Sequence, residues 1–409
     1  MGRRPRRARA VAGVSGTTTP GSKTADAVVI GGGVMGASAA HFLAKRGFGR
    51  VVLLEKGRLA GVSTGHSAAI IRTYYSNPIT LELAKRALHM FENDRDMLGG
   101  DCGFRPIGFL LLIGERLRAA GEHILESERR HGLRVERLTV EEVAGLAPPL
   151  SLDGISYGII EPRSGYADPT RTTEHLVAAA RPWGLDPRAG VAATGVRLRG
   201  DRVVAVETEG GTIATKVVVN AAGPWAGQVG SWLGLRYSLR WSRESDLFVE
   251  KPAGFGDLPV VSDPGLRVYL RSYGEDRVIA GLGAPKDIEP VDPDDCDPGL
   301  DPEMRERIER PLFERIPALS RARHLGGYAS LYTITDDWHP IVGPEPGLEG
   351  YYAFFGGSGH GFKLGPPIGE ALADVICGET SEIDLSPFRP ARFIDGEPLT
   401  SAWGEGNRG

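Results

Sequence analysis

The chain has 409 residues, 41% of them hydrophobic and 24% charged, which is the composition of an ordinary globular protein with two domains or one large composite. Its formal net charge of −4 gives no reason to expect nucleic acid or an anionic membrane surface as a partner. No run of apolar residues approaches the length of a bilayer crossing, so we predict no membrane span.

Residues 1–24 differ in composition from the rest of the chain. They are basic at first and then rich in Gly, Ser, Thr and Pro, which predicts a disordered basic tail. The arginine pairs could indicate an export signal. No continuous apolar segment follows them, however, and we therefore predict a solvated tail instead.

The fingerprint of a nucleotide-binding βαβ unit occupies residues 26–55. Buried strands are predicted at residues 27–30 and 51–54, with a helix of small residues between them and Glu55 at the tip of the second strand. The first strand runs into a GxGxxG pattern, formed by Gly31, Gly33 and Gly36.

Each part of this unit has a chemical reason. The first glycine permits a tight turn, the second lets the backbone approach a pyrophosphate, and the third lets helix and strand pack closely. The free N–H groups and the dipole at the start of the helix bind the phosphate charge. Glu55 lies 19 residues after Gly36 (55 − 36), where an acid accepts hydrogen bonds from a ribose. We predict a dinucleotide site rather than a βα turn without a ligand.

Residues 58–76 are small and glycine-rich, and then apolar with an arginine among them. Directly after the ribose acid, such a segment can wrap an extended cofactor. Arg72 follows Ile70 and Ile71, where a charge needs an anionic partner. That partner is either a ligand or the acid of a structural salt bridge, and the residues alone favour neither.

The next part of the chain alternates between helical and extended patterns. Residues 78–98 have helical spacing, residues 109–113 predict a strand, and residues 117–131 predict a charged, solvent-facing helix. Residues 157–168 contain Pro and Gly and are predicted as loop-rich. A further helix is predicted at residues 170–180.

Extended patterns dominate the middle of the chain. Residues 191–206 and 212–219 predict a hairpin-like pair of strands, and the second strand runs into the small residues of NAAGPWA at 220–226. That ending suits either a close backbone approach to a nucleotide or a plain strand-to-helix turn. Short apolar runs predict antiparallel strands at residues 248–250, 260–261, 267–271 and 277–281.

The last third of the chain begins with an acidic, proline-rich loop at residues 285–302 and a helix at 303–315. Residues 351–355 predict a strand. It leads into a glycine-rich loop that opens a helix near Pro366, with Lys363 just before it. From Ser386 onward we predict a loosely held tail.

Three cysteines, Cys102, Cys296 and Cys377, are far apart in the sequence. Their spacing matches no metal site, so we predict no bound metal. Isolated cysteines are typical of a reducing compartment, which predicts a cytoplasmic protein.

Four sequence blocks together resemble the flavin amine oxidoreductases that include sarcosine oxidase, dimethylglycine dehydrogenase and D-amino-acid oxidase. The blocks are the 31–55 fingerprint, SAAIIR before Tyr74, VVVNAAGPWA, and the pair DDWHPIVGP and GGSGHGFK. The resemblance covers roughly residues 25–378. Its motifs are specific for the family and moderately specific for the sarcosine oxidase branch.

The resemblance implies an α/β fold with FAD as cofactor in an extended pose. A Rossmann-like FAD-binding domain of the glutathione-reductase type would be joined to an α+β substrate domain on a mostly antiparallel sheet. The expected boundaries are 25–100, 170–237 and 326–380 for the FAD-binding domain, 101–169 and 238–325 for the substrate domain, and 381–409 for a C-terminal tail.

The residues that this resemblance assigns to FAD lie in the fingerprint, the wrapping segment and the two later blocks. They are Gly31, Gly33, Val34, Met35, Gly36, Glu55, Lys56, Ser63, Thr64, His66, Ser67, Ala68, Val191, Ala222, Gly223, Trp225, Gly357, Gly359, His360, Gly361, Phe362 and Lys363. The helix near Pro366 would direct its positive end at the flavin pyrimidine.

Two basic residues are implied as the substrate clamp. Arg72 and Lys363 match the positions that hold the substrate carboxylate in monomeric sarcosine oxidase, where a guanidinium gives a two-point contact and an ammonium adds a point charge. Tyr332 matches an aromatic residue beside the substrate amine, and Tyr269 is a weaker candidate for the same place. His360 is the nearest candidate for a proton acceptor, although a histidine between glycines also suits the edge of the flavin.

Three departures from the family pattern affect the expected chemistry. Ser330 stands where monomeric sarcosine oxidases have a flavin-linking cysteine, so that linkage is absent. Ile279 aligns with their oxygen-activating lysine, so a dehydrogenase that passes electrons to another acceptor stands beside an oxidase as an open alternative. Asp168 and Pro169 stand where the heterotetrameric enzymes attach a second flavin to a histidine, so we expect one flavin only.

His66 has two interpretations. Thr64-Gly65-His66 matches a T-W-H segment whose histidine is bonded to the flavin ring in relatives of dimethylglycine dehydrogenase, with glycine in place of tryptophan. In the heterotetrameric sarcosine oxidases the same position is an arginine beside unattached FAD. A histidine that hydrogen-bonds within the wrapping loop is therefore favoured over a covalent bond, and either interpretation expects it close to the flavin.

We therefore predict an FAD-dependent oxidation of the C–N bond of an amino acid or N-alkyl amino acid. Hydride transfer to flavin N5 would give an imine, and the electrons would pass to oxygen or to another acceptor. One alternative is an FAD-dependent 2-hydroxy-acid dehydrogenase with a similar carboxylate clamp. Another is a non-catalytic FAD-binding subunit of a larger complex.

Overall fold

A computed structural model describes residues 23–283, 288 and 290–400. Residues 1–22 of the tail predicted at 1–24, part of the acidic loop (284–287 and 289) and residues 401–409 lie outside the described residues. Two large sheets organise the described chain. A six-stranded sheet carries the fingerprint, and an eight-stranded sheet carries Tyr269 and Tyr332.

The strands are given first, in chain order. They are β1 Ala27–Ile30, β2 Val51–Glu55, β3 Ile70–Ile71, β4 Phe109–Gly114, β5 Glu136–Leu138, β6 Ile155–Glu161, β7 Gly165–Tyr166, β8 Leu185–Ala189, β9 Ala193–Arg199, β10 Arg202–Thr208, β11 Gly211–Ala214, β12 Val217–Asn220, β13 Leu239–Glu250, β14 Val260–Asp263, β15 Val268–Tyr273, β16 Arg277–Leu282, β17 His324–Thr335, β18 Ile341–Pro344 and β19 Tyr351–Phe355.

The α-helices follow in the same order. They are α1 Val34–Lys45, α2 Pro78–Glu92, α3 Asp94–Met97, α4 Arg118–Arg130, α5 Val140–Leu146, α6 Pro169–Ala180, α7 Ala226–Ser231, α8 Pro302–Arg315 and α9 Gly361–Cys377. Among the helices of the described ranges, none combines the length and the apolar character that crossing a bilayer requires.

The six-stranded sheet has the order β18-β19-β12-β1-β2-β8 and is parallel except at β18. The apolar residues of β1 and β2 alternate between its two faces. Val29 and Leu53 pack in one core with α1 and α9, whereas Val28 and Val52 pack against the three-stranded sheet β11-β10-β9. Both faces are covered, which explains why these strands are continuously hydrophobic.

The glycines of the fingerprint are required by close backbone contacts. Gly31 has φ +114°, and a Cβ added there would lie 2.2 Å from the carbonyl oxygen of Ala221 in the turn after β12. A Cβ on Gly36 would lie 1.9 Å from the carbonyl oxygen of Gly31. No larger residue fits either place, as predicted for the turn and for the packing of α1 on β1.

The eight-stranded sheet has the order β17-β13-β16-β15-β14-β4-β6-β5. Its pairings are antiparallel except between β14 and β4. One face forms an aliphatic core with α8, in which Leu247 and Leu270 meet Ile308 and Leu312. The α/β fold with a parallel sheet and a mostly antiparallel sheet is the predicted fold class.

Two sequence-based assignments in the middle of the chain were wrong. The predicted loop at residues 157–168 contains β6, whose last five residues are buried and which pairs with β4, so its hydrophobic side chains outweigh the nearby Pro and Gly. The predicted pair of strands at 191–219 is instead four strands, β9 to β12. Turns divide them, and β12 leaves the small antiparallel sheet to join the parallel one.

The last long helix begins earlier than predicted. α9 starts at Gly361 rather than near Pro366, so Lys363 lies in its first turn and both prolines lie inside it. Contact with α1 explains why the helix persists there, because a Cβ on Gly369 would lie 2.6 Å from the Cβ of Ser38 and one on Gly365 3.4 Å from Val34. Close packing compensates for the hydrogen bonds that the prolines cannot donate.

Residues 386–399 are anchored, which corrects the prediction of a loosely held tail for this part of the chain. Phe388 and Arg392 are 0% exposed. The Arg392 guanidinium donates to both carboxylate oxygens of Asp337, at 2.7 and 2.9 Å, and the Leu399 N–H donates to the same carboxylate at 3.0 Å. This buried ion pair joins residues 386–399 to the turn before β18.

Candidate functional site

A cavity extends from the glycine turn after β1, past the end of β2, to the loop before α9. The segment 60–67, the turn after β12 and the middle of β17 complete its walls. Most residues predicted to bind the cofactor line it: Gly31, Gly33, Val34, Met35, Glu55, Lys56, Ser63, Thr64, Ser67, Ala222, Gly223, Trp225, Gly357, Gly359, Gly361 and Phe362.

Six residues of that prediction are not in the cavity lining, namely Gly36, His66, Ala68, Val191, His360 and Lys363. Gly36 packs against the backbone of Gly31 in the turn. The Val191 N–H donates to the Glu55 carbonyl oxygen at 2.9 Å. The sequence-based prediction also missed lining residues from the same turns, among them Gly32, Gln228, Trp232 and Ser358. Their positions beside predicted residues were the available signal.

The carboxylate of Glu55 joins the glycine turn to the end of β2. Its Oε2 accepts a hydrogen bond from the Gly32 N–H at 2.8 Å, and its Oε1 accepts one from the Gly57 N–H at 2.7 Å. Both contacts hold the side chain at the cavity wall, where an acid able to accept hydrogen bonds from a ribose is expected.

Lys56 and Trp225 form the wall beside Glu55. The Lys56 Nζ lies 3.2 Å from the centroid of the indole ring, and the indole N–H donates to Asp294 at 2.7 Å. Burial lowers the pKa of the Lys56 ammonium, while the nearby Asp294 and Glu55 carboxylates oppose that shift. Lys56 and Trp225 therefore form a cation–π contact at the exposed end of the cavity.

The wrapping segment links the start of α1 to the eight-stranded sheet. Thr64 Oγ1 accepts a hydrogen bond from the Val34 N–H at 3.1 Å, and so lies at the positive end of α1. Ser63 Oγ donates to the Leu331 carbonyl oxygen of β17 at 2.6 Å. The cavity thus lies between the fingerprint and the edge of the second sheet.

Arg72 and Lys363 meet at one tyrosine. The Arg72 guanidinium carbon is 4.5 Å from the centroid of the Tyr75 ring, and Lys363 Nζ donates to Tyr75 Oη at 3.1 Å. The ring of His360 stacks on Tyr75, with the two rings nearly parallel and their centroids 5.6 Å apart. Within the described ranges Arg72 forms no salt bridge. Its guanidinium donates to the Tyr74 carbonyl oxygen, and its charge acts on the nearby Glu128 carboxyl group.

Tyr75 is a residue that the sequence-based prediction missed. It is 2% exposed and lies three positions after Arg72. Its phenol and ring contact both predicted clamp residues, so it sets their separation. The pair of tyrosines that follows the SAAIIR block after one threonine was the signal that could have identified it.

A pair of buried carboxyl groups lies behind Arg72. Thr73 Oγ1 donates to Glu128 at 3.1 Å and to Glu161 at 2.9 Å, and its N–H donates to Glu161 at 2.7 Å. Burial, and then the adjacent Glu161 carboxylate, raise the pKa of Glu128 well above its usual range. Through their hydrogen bonds to Thr73, the two carboxyl groups fix the backbone next to Arg72.

We expect Glu128→Gln to remove a pH dependence of stability. The pKa of Glu128 is raised in the folded protein. Its contribution to the free energy of unfolding is therefore complete below its ordinary pKa of 4.5, and it is lost as the pH rises towards the pKa of the folded state. In that window the free energy of unfolding of the parent should fall, relative to the glutamine variant, by up to about 1.4 kcal/mol per pH unit. Denaturant unfolding of both proteins across the pH range measures the difference, and parallel curves would contradict it.

The sheet wall holds the other predicted residues. Tyr332 lines the cavity, whereas Tyr269 does not and instead donates its hydroxyl to Asp246. The His66 ring lies 5.2 Å from the ring of Tyr328. Burial, and then the charge of Arg58, lower the pKa of His66, which keeps its imidazole neutral.

The three positions that depart from the family pattern have ordinary structural surroundings. Ile279 is fully buried on β16, opposite Phe248 of β13. Ser330 is buried on β17, and Asp168 caps α6 by accepting the Arg171 N–H at 2.9 Å.

Comparison with known proteins gives matches along most of the chain. A family model described as FAD dependent oxidoreductase matches residues 26–375. Mouse (Mus musculus) mitochondrial sarcosine dehydrogenase is 29% identical over 400 residues, which cover 92% of this chain and 42% of the relative. Human (Homo sapiens) mitochondrial dimethylglycine dehydrogenase is 29% identical over 413 residues, which cover 95% of this chain and 47% of the relative. The chain thus spans less than half the length of these two relatives.

A solved structure matches over nearly its whole length. The crystal structure of L-proline dehydrogenase from P. horikoshii has a TM-score of 0.86 and 26% sequence identity to this chain. The match covers 92% of this chain and 99% of that one. The arrangement of the two sheets is therefore shared along most of the described chain.

Proposed function

The chain belongs to the family of FAD-dependent oxidoreductases, and from that premise we propose that it oxidises a C–N bond of an amino acid or an N-alkyl amino acid. Membership confirms the predicted resemblance and the predicted cofactor, FAD. The observation that carries the proposal is the convergence of Arg72 and Lys363 on Tyr75 beside the cofactor cavity.

The residues of the cavity fit FAD. A side chain at Gly31 or Gly36 would collide with the neighbouring backbone. A Cβ added at Gly33 would lie only 3.1 Å from Thr64 Oγ1. This leaves backbone N–H groups at the start of α1 for a pyrophosphate. Glu55 would accept the ribose hydroxyls from the end of β2, and the loop before α9 lines the far end of the same cavity.

Replacing Glu55 by alanine is expected to weaken FAD binding by about tenfold, because a charged acceptor makes stronger hydrogen bonds than a neutral one. Calorimetric titration of the apoprotein with FAD measures the dissociation constant. Glu55→Gln, which keeps an acceptor without the charge, should lie between the alanine variant and the parent. An FAD affinity unchanged in Glu55→Ala would contradict a ribose contact.

The clamp would bind and orient an anionic substrate. Arg72 offers a planar guanidinium that can contact both oxygens of a carboxylate, and Lys363 adds a buried ammonium 7% exposed. Tyr75 holds the two cations in place, and Tyr332 borders the cavity on the sheet side. When bound beside this clamp, FAD would supply the hydride acceptor for the substrate C–H bond. The chain itself supplies orientation and charge.

The named relatives support the same substrate class. Sarcosine dehydrogenase, dimethylglycine dehydrogenase and L-proline dehydrogenase are each named for an amino acid whose nitrogen carries an extra alkyl substituent. Such substrates present both a carboxylate and an amine. Ile279, buried where the resembling oxidases have a lysine, supports an electron acceptor other than oxygen.

Anaerobic reduction of the bound FAD by a panel of small molecules tests the proposal. The panel contains amino acids, N-methyl amino acids and the matching 2-hydroxy acids. We expect bleaching of the flavin by members of the first two classes. Bleaching by hydroxy acids alone would support the 2-hydroxy-acid dehydrogenase, and bleaching by none would support a non-catalytic FAD-binding subunit.

A further inference from the structure

Lys56 and Trp225 come from opposite walls of the cofactor cavity. In the six-stranded sheet β1 lies between β2 and β12, and Ile30 at the end of β1 pairs with Leu54 on one side and Asn220 on the other. Lys56 directly follows β2, and Trp225 lies five residues after the end of β12. The two residues therefore reach the cavity from either side of the glycine turn.

The side chains of Lys56 and Trp225 close the gap between these walls. Neighbouring strands of a sheet lie about 4.8 Å apart, so β2 and β12 are separated by about 10 Å across β1. The Lys56 Nζ nevertheless lies 3.2 Å from the centroid of the Trp225 indole ring. Both residues line the cavity, and so does Glu55 beside them. Their contact therefore joins the two walls next to the acid that is expected to bind the ribose.

Asp294 holds this contact from outside the cavity. Its Oδ1 accepts a hydrogen bond from the Trp225 indole N–H at 2.7 Å and lies 3.8 Å from the Lys56 Nζ. One carboxylate oxygen thus contacts both partners, and its negative charge favours the ammonium in its place over the ring. Asp294 is not among the described residues that line the cavity. Its effect on a bound cofactor must therefore act through Lys56 and Trp225.

Asp294 belongs to the loop at residues 290–301, which is anchored on the eight-stranded sheet. The Arg243 guanidinium of β13 donates to the Asp297 carbonyl oxygen at 3.3 Å and to the Asp301 carboxylate at 2.6 Å. Because the Arg243 side chain is only 9% exposed, this end of the loop is firmly held. A loop fixed on one sheet therefore supports a contact between cavity walls that belong to the other sheet.

We propose that Lys56 and Trp225 form a clasp across the cofactor cavity, and that Asp294 fastens this clasp and so slows the entry and release of FAD. FAD is the confirmed cofactor, so the inference goes beyond the oxidation of a C–N bond and does not depend on it. The Lys56 and Asp294 side chains are 47% and 71% exposed, and an exposed ion pair contributes little binding free energy. The clasp therefore acts on the rates of exchange, in both directions, more than on the affinity.

Exchange of the cofactor measures the clasp. The FAD-loaded protein is mixed with a large excess of isotopically labelled FAD, and rapid gel filtration gives the amount of label taken up with time. This time course yields the dissociation rate constant of FAD. Calorimetric titration of the apoprotein yields the dissociation constant, and the ratio of the two quantities is the association rate constant. Neither measurement requires a substrate.

Replacing Asp294 by alanine should raise both rate constants by about threefold to tenfold and leave the dissociation constant within about twofold of the parent value. Asp294→Asn keeps an oxygen that can accept from the indole N–H but loses the charge beside Lys56, so it should lie between alanine and the parent. A residue that only contacts the cofactor, or only stabilises the fold, would instead change the dissociation rate constant and the dissociation constant together.

Asp295→Ala is the matched control. Asp295 is an exposed acid at the next position of the same loop, so its replacement changes the net charge by the same amount. FAD is an anion, and the loss of any nearby acid favours its association through the long-range field of the protein. The control measures that contribution alone, and both of its rate constants should stay within about twofold of the parent values.

Four outcomes would overturn the clasp. The first is FAD exchange in Asp294→Ala at the rate of the parent, and the second is an equal acceleration in Asp295→Ala. The third is a rise in the dissociation constant of Asp294→Ala that matches the rise in its dissociation rate constant. The fourth is FAD that exchanges neither from the parent nor from Asp294→Ala, because another bond would then retain the cofactor.

Discussion

Replacing Arg72 or Lys363 by alanine is expected to slow the anaerobic reduction of FAD by a carboxylated amine by about tenfold to a hundredfold in each case. The loss corresponds to one charge-assisted contact to the carboxylate, about 1.5–3 kcal/mol. FAD should remain bound, because neither side chain lines the cofactor cavity. Stopped-flow absorbance of the flavin measures the rate, and its visible spectrum measures the amount of cofactor.

Two further variants separate the clamp from a general loss of charge. Arg72→Lys keeps the charge but loses the two-point geometry, so it should be intermediate between the alanine variant and the parent. Lys85→Ala removes a half-exposed cation of α2 that contacts Glu82 at 3.7 Å and should reduce FAD at the parent rate. Unchanged reduction rates in both Arg72→Ala and Lys363→Ala would show that the carboxylate is held elsewhere.

Replacing Arg392 by alanine is expected to lower the free energy of unfolding by about 3–5 kcal/mol, because the carboxylate of Asp337 would remain buried without its partner. The two side chains are 0% and 1% exposed, so water cannot replace the lost contact at low cost. Denaturant unfolding followed by circular dichroism measures the change.

The matched control lies three residues earlier in the same segment. Arg389 pairs with Asp395 and Glu397 at 2.7 and 2.6 Å, but its side chain is 33% exposed. Its replacement by alanine should cost no more than about 1 kcal/mol, as for other exposed ion pairs. If the two variants were equally stable, residues 386–399 would not be anchored by their buried ion pair.

The nucleotide-binding unit could be predicted because its signals are local. The strand β1, the glycines and the acid Glu55 follow one another within about thirty residues, and each has a separate steric or electrostatic reason. The start of α9 could not be predicted in this way. Pro366 and Pro367 indicate a helix start, whereas the helix begins at Gly361 because its packing against α1 outweighs the local preference. Long-range contacts of this kind leave no periodic signal.

In the candidate site too, local sequence signals could be predicted and long-range contacts could not. Arg72 and Lys363 were assigned through the family resemblance, and they do meet, but the residue that joins them was not foreseen. Tyr75 and Lys363 are 288 positions apart in the chain, so their hydrogen bond depends on the complete fold.

The central claim is that the chain uses FAD to oxidise a C–N bond. The most direct measurement is anaerobic mixing of the FAD-loaded protein with the most effective amine of the panel, followed by flavin absorbance and by analysis of the products. The account predicts full bleaching of the flavin, with about one carbonyl product of imine hydrolysis formed for each FAD reduced. Bound FAD that stays oxidised with every amino acid and N-alkyl amino acid, or that is reduced without cleavage of a C–N bond, would contradict it.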